Sequence, residues 1–326
     1  MSRHLVRRAA EAVFELPEVY AGRSEGFTRW TCVDHRVDGA IHTGFGVCEL
    51  APGGRIGRHV HSCELSVFVL EGSVVIDQAD GARQLVEGDY GMVPVGVAHA
   101  WRNSGSARAR WAEMLAPQPR PRHGGDTYFL PDLPGSEPMP IDVRDPRTRS
   151  FGHIDPANMD VDQQTQDRLA VSASMRTALL VYSGITVKMM VDTDLGAQLS
   201  TMFMVQYVPA GFAGPHDHPF EETYMILEGE TDAIFDGHEY RLGPGDVAFA
   251  GVGALHQFSN VGPGVVRWLE TQAPQPPARH SYRFARDWRY LTGLLEAADD
   301  GIVPAPTSTD GSDLARQKGI YSDTDT

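Results

Sequence analysis

The sequence predicts an all-β protein made of two copies of one barrel-like domain, and three observations carry that expectation. First, a set of residues recurs at a fixed displacement of 157: His59, His61, Gly72, Gly88, His99 and Asn103 fall on His216, His218, Gly229, Gly245, His256 and Asn260. So many coincidences in one frame mark a duplicated unit. Second, short β-branched or aromatic runs are broken by Glu-Gly, Asp-Gly and Gly-Asp, as in VFVLEGSVVIDQADG and YMILEGETDAIFDG. This is the punctuation of antiparallel hairpins. Third, 34 glycines and 22 prolines in 326 residues suit many turns better than long helices.

Taken in order, residues 1–16 (MSRHLVRRAAEAVFEL) read as a short amphipathic helix, and residues 1–125 as the first domain. Residues 126–175, rich in Pro, Asp and Gln, read as a linker carrying a helix. The second domain is expected over 176–290, and the polar stretch 291–326 as a tail. The repeat slips by one residue at its turns, since Asp80-Gly81 and Asp236-Gly237 lie 156 apart. Hairpin tips are where such a change is absorbed.

Composition narrows the partners. The formal net charge is −15, from 43 acidic and 28 basic residues, which opposes binding to nucleic acid or an anionic membrane. No run of apolar residues is long enough to span a bilayer. Positions 1–16 lack an apolar core followed by a small-residue cleavage site, so the expected location is the cytoplasm. The three cysteines, Cys32, Cys48 and Cys63, form neither a disulfide framework nor a Cys-x-x-Cys motif. Exposed sheet edges predict a homo-oligomer.

The chemistry resides in the histidines. In a strand, side chains two or four apart share a face, so His216, His218 and Glu222 can project together. His256 folds back to them across the Gly251-Val252-Gly253 turn. Three imidazoles and one carboxylate form a site for a mid-row divalent metal: Fe, Mn, Zn or Ni. The same spacing recurs as His59, His61 and His99, but Leu65 stands under Glu222, and Glu64 is one residue out of phase and faces away. The first copy therefore either binds metal through three histidines or is a decayed copy kept for packing. By strand parity Gln206, Tyr224 and Phe258 are candidate pocket walls, with Met202, Met204 and Phe249 beside them. The recurrent RWAE and RWLE segments read as strands with packed tryptophans, and the recurrent His123 and His280 as turn residues.

These motifs resemble those of the cupin superfamily. Its first motif appears as Gly211, His216, His218, Glu222 and Gly229, and its second as Gly245, Gly251, Gly253, His256 and Asn260, with Gly251 in place of a proline. The first copy matches through Gly54, His59, His61 and Gly72, then Gly88, Pro94, Gly96, His99 and Asn103. The resemblance implies two tandem double-stranded β-helix (jelly-roll) barrels, a bicupin. It extends to a resemblance to gentisate-type dioxygenases, whose corresponding segment has a small or apolar residue where Leu65 stands. Oxalate-decarboxylase-like bicupins keep both carboxylates, which counts against that reading. On this basis an Fe(II) dioxygenase acting on a small organic substrate at the C-terminal site ranks first. A non-redox Mn, Zn or Ni hydrolase, isomerase or lyase ranks second, and a non-catalytic ligand-binding bicupin third.

Overall fold

A computed structural model describes residues 3–160 apart from 133 and 143, residues 177–276 apart from 181 and 182, and the short pieces 283–284, 293 and 296–297. Each copy forms an antiparallel barrel. The first runs through Ser24–Val33, Gly44–His61, Glu64–Glu71, Ser73–Gln78, Gly81–Val86, Asp89–Val93, His99–Arg102 and Ala109–Ala116. The second runs through Ile185–Val191, Thr201–Tyr207, Phe212–Asp217, Glu221–Glu228, Thr231–Phe235, His238–Leu242, Val247–Ala250, His256–Ser259 and Val266–Ala273. The Asp236-Gly237 hairpin has both central residues at positive φ, 47° and 84°, as its sequence requires. In the first copy Gln78 pairs with Gly81, so the loop is Ala79-Asp80 and the Asp-Gly step has moved by one. That shift is the slip seen in the repeat.

Strand alternation divides the apolar residues among three cores. Cys48, Leu65, Val67, Trp111 and Leu115 fill the first barrel. Phe203, Val205, Tyr207, Tyr224, Phe258 and Trp268 fill the second. The alternate residues, Phe45, Val47, Ala112 and Met114 from one copy and Met202, Met204, Phe249 and Leu269 from the other, meet in a third core between the barrels. Strands buried on both faces explain why segments such as TMFMVQY are nearly continuously apolar.

The two copies hold one another by exchange. The strand His4–Arg7 pairs with Val247–Ala250 of the second barrel, and Phe151–His153, which precedes the second copy, pairs with Asp89–Gly91 of the first. Each crossing strand covers an edge that would otherwise be open. The recurrent aspartate of each Gly-Asp turn anchors the crossing segment. Asp246 accepts from Arg8 Nη1 at 2.7 Å and from the Ala9 amide at 2.9 Å, and Asp89 meets His153 Nδ1 at 2.8 Å. A second exchange uses buried glutamates. Glu221 accepts from the amides of Ile41, His42 and Thr43, at 2.7, 3.0 and 2.9 Å. Its counterpart Glu64 accepts from the amides of Gln198 and Leu199, at 2.6 and 2.9 Å, and from Ser200 Oγ at 3.3 Å. Glu64 thus faces away from the histidines, as strand parity requires.

Two expectations are corrected. Residues 4–7 are a strand, followed by a single 3-10 turn at Ala9–Glu11, and not an amphipathic helix. Four residues of HLVR gain a ladder of hydrogen bonds on the second barrel, which local helix propensity cannot match at that length. Part of the expected linker belongs to the first barrel, because Thr127–Phe129 and Pro138–Pro140 also add to its sheet. The linker helix and tail fall mainly on residues outside the described ones, as does His280. His123 lies exposed in the turn segment Pro121–Asp126.

Candidate metal centres

In the first barrel, the long strand Gly44–His61 carries His59 and His61, and His99 opens the strand paired across from it, with His59 directly opposite His99. The three side chains offer ligand atoms within 4.8 Å of one another, and all three residues are buried. Each Nδ1 is already engaged: His59 with Gly57 O at 2.7 Å, His99 with Val97 O at 3.1 Å, and His61 with Thr127 Oγ1 at 3.0 Å. A carbonyl only accepts, so Nδ1 of His59 and of His99 bears the proton. The Thr127 hydroxyl donates to Gly125 O, so it accepts from His61. All three Nε2 atoms are therefore lone pairs. This is the outer-partner arrangement that orients imidazoles toward a metal.

His99 Nε2 is buried without a hydrogen-bond partner, which a cation would relieve. Burial lowers the pKa of His59 to about 4 and of His61 to about 3, so the neutral ligand form prevails at neutral pH. These residues fit a divalent metal of the nitrogen-preferring kind.

The second barrel keeps the backbone device and changes the interior. Nδ1 of His216, His218 and His256 donates to Gly214 O, Phe220 O and Ala254 O at 2.8, 2.8 and 2.9 Å. His218, Glu222 and His256 bring ligand atoms within 4.8 Å of one another. His216 is not a member of that group. Its ring centroid lies 4.2 Å from that of His256 and 6.2 Å from that of His218, beside a register shift between Ala213 and His216.

Glu222 is the hub. Its Oε2 lies 2.6 Å from His218 Nε2 and takes the hydroxyl of Tyr224, while Oε1 accepts Gln272 Nε2 at 2.6 Å. The Tyr224 hydroxyl is also 2.9 Å from His256 Nε2. Burial works against charge on both His218 and Glu222, but each offsets it for the other. His218 is raised above the ordinary imidazole range, and Glu222 is held well below the carboxylate range. With Nδ1 of His218 already protonated, its Nε2 can face a carboxylate oxygen only if a positive species lies between them. Either a proton or a divalent cation meets that requirement, and the donor set suits both.

Sequence reasoning passed over two residues of this interior. Glu270 accepts Trp268 Nε1 at 2.9 Å, and burial together with the Glu222 charge pushes its carboxyl well above the usual range. Gln272 steadies Glu222. Both lie on the strand of the RWLE segment, where Trp268, Glu270 and Gln272 share one face, and that alternation was the available signal. Tyr224 and Phe258 stand at the site, their rings 4.7 Å apart. Gln206 does not. It points to the opposite face, donating to Met159 O at 3.2 Å and accepting from Arg267 Nε at 3.3 Å, and Met202, Met204 and Phe249 lie in the core between barrels. A one-residue choice of parity inverts the face.

Comparison with known proteins places this architecture. Residues 46–115 and 203–271 each match the Cupin domain family. The protein also shares 32% identity over 115 residues with polyketide synthase CurC of Streptomyces cyaneus, covering 34% of this chain and 74% of that protein. The chain belongs to the cupin superfamily. It is a bicupin, and solved bicupin structures share its fold. Oxalate decarboxylase of Bacillus subtilis at pH 4.6 aligns with a TM-score of 0.58 at 14% identity, over 91% of this chain and 84% of that one. A mutant salicylate 1,2-dioxygenase of Pseudoaminobacter salicylatoxidans aligns with a TM-score of 0.57 at 14% identity, over 75% of this chain and 76% of that one. Dimethylsulfoniopropionate lyase DddQ of Ruegeria pomeroyi is 50% identical over 54 residues, which cover 16% of this chain and 27% of that protein. Among the described residues no helix of this bicupin is long and apolar enough to cross a membrane.

Proposed function

We propose that this bicupin is a metal-dependent enzyme acting on a small organic substrate, with a non-redox proton transfer, of the lyase or isomerase kind, in the C-terminal barrel. His218, Glu222 and His256 would hold the divalent metal, with His216 at the edge of the site. When bound there, the metal supplies Lewis-acid polarisation of a substrate oxygen. The observation that carries the reading is the Tyr224 hydroxyl, buried between Glu222 Oε2 and His256 Nε2. It can give or take one proton at a fixed position, which is the requirement for general acid–base work. Gln272 orients Glu222, and the aromatic side chains of Phe235 and Phe258 exclude water. The similarity to a lyase over 54 residues supports this class.

A second reading is the Fe(II) dioxygenase, which ranked first from sequence at the C-terminal site and which the donor set here favours in the N-terminal barrel instead. Three convergent neutral imidazoles without a carboxylate are the donor set that the sequence resemblance linked to ring cleavage. The two readings part under one experiment. Dimethylsulfoniopropionate, oxalate, salicylate and gentisate are supplied to protein loaded with Fe(II), Mn(II) or Zn(II), in air and under argon. The proton-transfer reading expects turnover that survives removal of oxygen. It also expects Tyr224→Phe to keep its metal while losing a factor of about 10²–10⁴ in rate, the usual worth of a positioned acid or base. Turnover that stops under argon, or that persists undiminished in Tyr224→Phe, overturns it.

A further inference from the structure

The corresponding histidines His61 and His218 are held by different means. In the first barrel the hold comes from a neighbouring strand. The Ser62 amide donates to Asp126 O at 2.9 Å and His61 Nδ1 to Thr127 Oγ1 at 3.0 Å, where Thr127–Phe129 joins the sheet. In the second barrel the hold is local. Pro219 stands where Ser62 does and has no amide to donate, and its fixed φ suits the bend that follows the strand Phe212–Asp217. At that bend Phe220 O accepts from His218 Nδ1 at 2.8 Å, and the Phe220 ring lies flat on the imidazole. The two ring centroids are 4.0 Å apart and the planes 3° from parallel. Phe220 is fully buried, and its counterpart in the first barrel is Cys63, which has no ring to offer.

The form of the stack decides which imidazole it suits. Two neutral rings prefer offset or edge-to-face arrangements with centroids about 4.5–7 Å apart, because their like-signed faces repel. A closer, parallel stack becomes favourable when one ring is electron-poor, since the negative face of a phenyl ring attracts a cation. An imidazole that gives its Nε2 lone pair to a divalent metal is such a ring. His218 Nε2 is the atom that faces Glu222 Oε2, at 2.6 Å, so a cation held by these two groups charges the stacked ring. His256 has no such cover, for its stacked neighbour Phe235 is 5.9 Å away.

We infer that Phe220 is a positioning residue of the C-terminal centre: its carbonyl and ring fix the direction and plane of His218, and the ring face favours that imidazole when it ligates a cation. The inference rests on the metal centre proposed above and not on the reaction assigned to it. The test uses the full chain carrying His99→Ala, which leaves the C-terminal centre to take up the probe, with Zn(II) measured in competition with a chromophoric chelator. Phe220→Leu keeps the carbonyl and the apolar bulk and removes the ring. It should weaken Zn(II) binding about 10- to 30-fold, the scale of one desolvated ring–cation contact. Phenylalanine carrying one, two or three ring fluorines, inserted at position 220, keeps shape and burial while draining charge from the ring face. Affinity should fall stepwise along that series.

A side chain that only packs would not respond to fluorination. Unchanged affinity across the fluorinated proteins overturns the inference, and so does full Zn(II) affinity in Phe220→Leu. Should Phe220→Leu fail to fold, the fluorinated proteins, which are nearly isosteric, decide. Glu222→Gln measured alongside separates this inference from the reading beneath it. Weakened binding in Glu222→Gln with a flat fluorine series removes only the role of Phe220. Unaltered binding in Glu222→Gln removes the metal centre and the inference with it.

Discussion

The two barrels share a frame and differ in what fills it. Glu222, Tyr224 and Gln272 of the C-terminal barrel stand where the N-terminal barrel has Leu65, Val67 and Leu115. The recurrent glutamate bonds Trp268 Nε1 as Glu270 in one barrel. In the other it turns to Arg29 as Glu113, leaving Trp111 Nε1 buried without a partner. Everything that sets the frame is repeated: the Nδ1-to-carbonyl anchors of most of the histidines, and the motif asparagines, whose Nδ2 donates to Ala107 O or Gly264 O at 2.8 Å. The backbone fixes where imidazoles point, and the inward residues of three strands decide whether the centre is anionic and proton-rich or neutral and walled by apolar groups.

The most disruptive way to break this comparison is at Glu222. Glu222→Gln should lower metal affinity in the C-terminal barrel by at least about 100-fold, since loss of even an outer partner costs 10–100-fold. The N-terminal cluster should be unaffected. Metal content per chain after dialysis, measured on this variant and on His99→Ala, separates the two centres. Equal losses at both would mean that the barrels are not independent.

The glutamate exchange tests the frame itself. Glu221→Ala takes the acceptor from three amides, of which that of Thr43 is buried, and Glu64→Ala takes it from two amides and a buried hydroxyl, so each should cost about 2–4 kcal/mol in denaturant unfolding. Glu221→Ala should be the larger. A loss below about 1 kcal/mol in both would show that the shared core alone holds the barrels together.

Part of this organisation was legible in the sequence. The histidines were, because the spacing His-x-His on a strand and the 157-residue frame are local signals. So was the outward direction of Glu64, which parity alone gives. Its task was not, because its partners at 198–200 lie in the other copy. The strand at residues 4–7 was hidden for the same reason, as its ladder is supplied by residues 247–250. Gln206 was misplaced because TMFMVQY is buried on both faces, so hydrophobicity could not say which face was inward. Arg29 carried no motif, and only Gly46 makes room for it.

Proton release sharpens the contrast between the centres. His59 and His61, lowered to about 4 and about 3, are already neutral at pH 6.5, so metal entering the first barrel displaces almost no proton. His218 is raised, with Glu222 as its partner, and must lose its proton when metal enters. Titrations in buffers of different ionisation enthalpy near pH 6.5 should find proton release at the C-terminal centre and close to none at the other. Equal release from both would contradict the assignment.

The smallest expected difference concerns the two crossing strands. Asp246 anchors the first through Arg8, whose charge is constant, whereas Asp89 anchors the second through His153, whose pKa is raised chiefly by its hydrogen bond to Asp89. A group raised in the folded state contributes stability in full below its unfolded value, here 6.5, and that contribution disappears as pH rises through the folded value. His153 is 33% exposed at its side chain, so solvent screening keeps the contribution under about 1 kcal/mol. Raising pH from about 6 to 8.5 should therefore increase amide exchange at residues 151–153, after correction for the intrinsic rate, by a factor of about 2–5. Residues 4–7 should hold their protection over the same range. His153→Asn should abolish the pH dependence at 151–153, and a parallel loosening of both strands would show that the anchors do not govern the exchange.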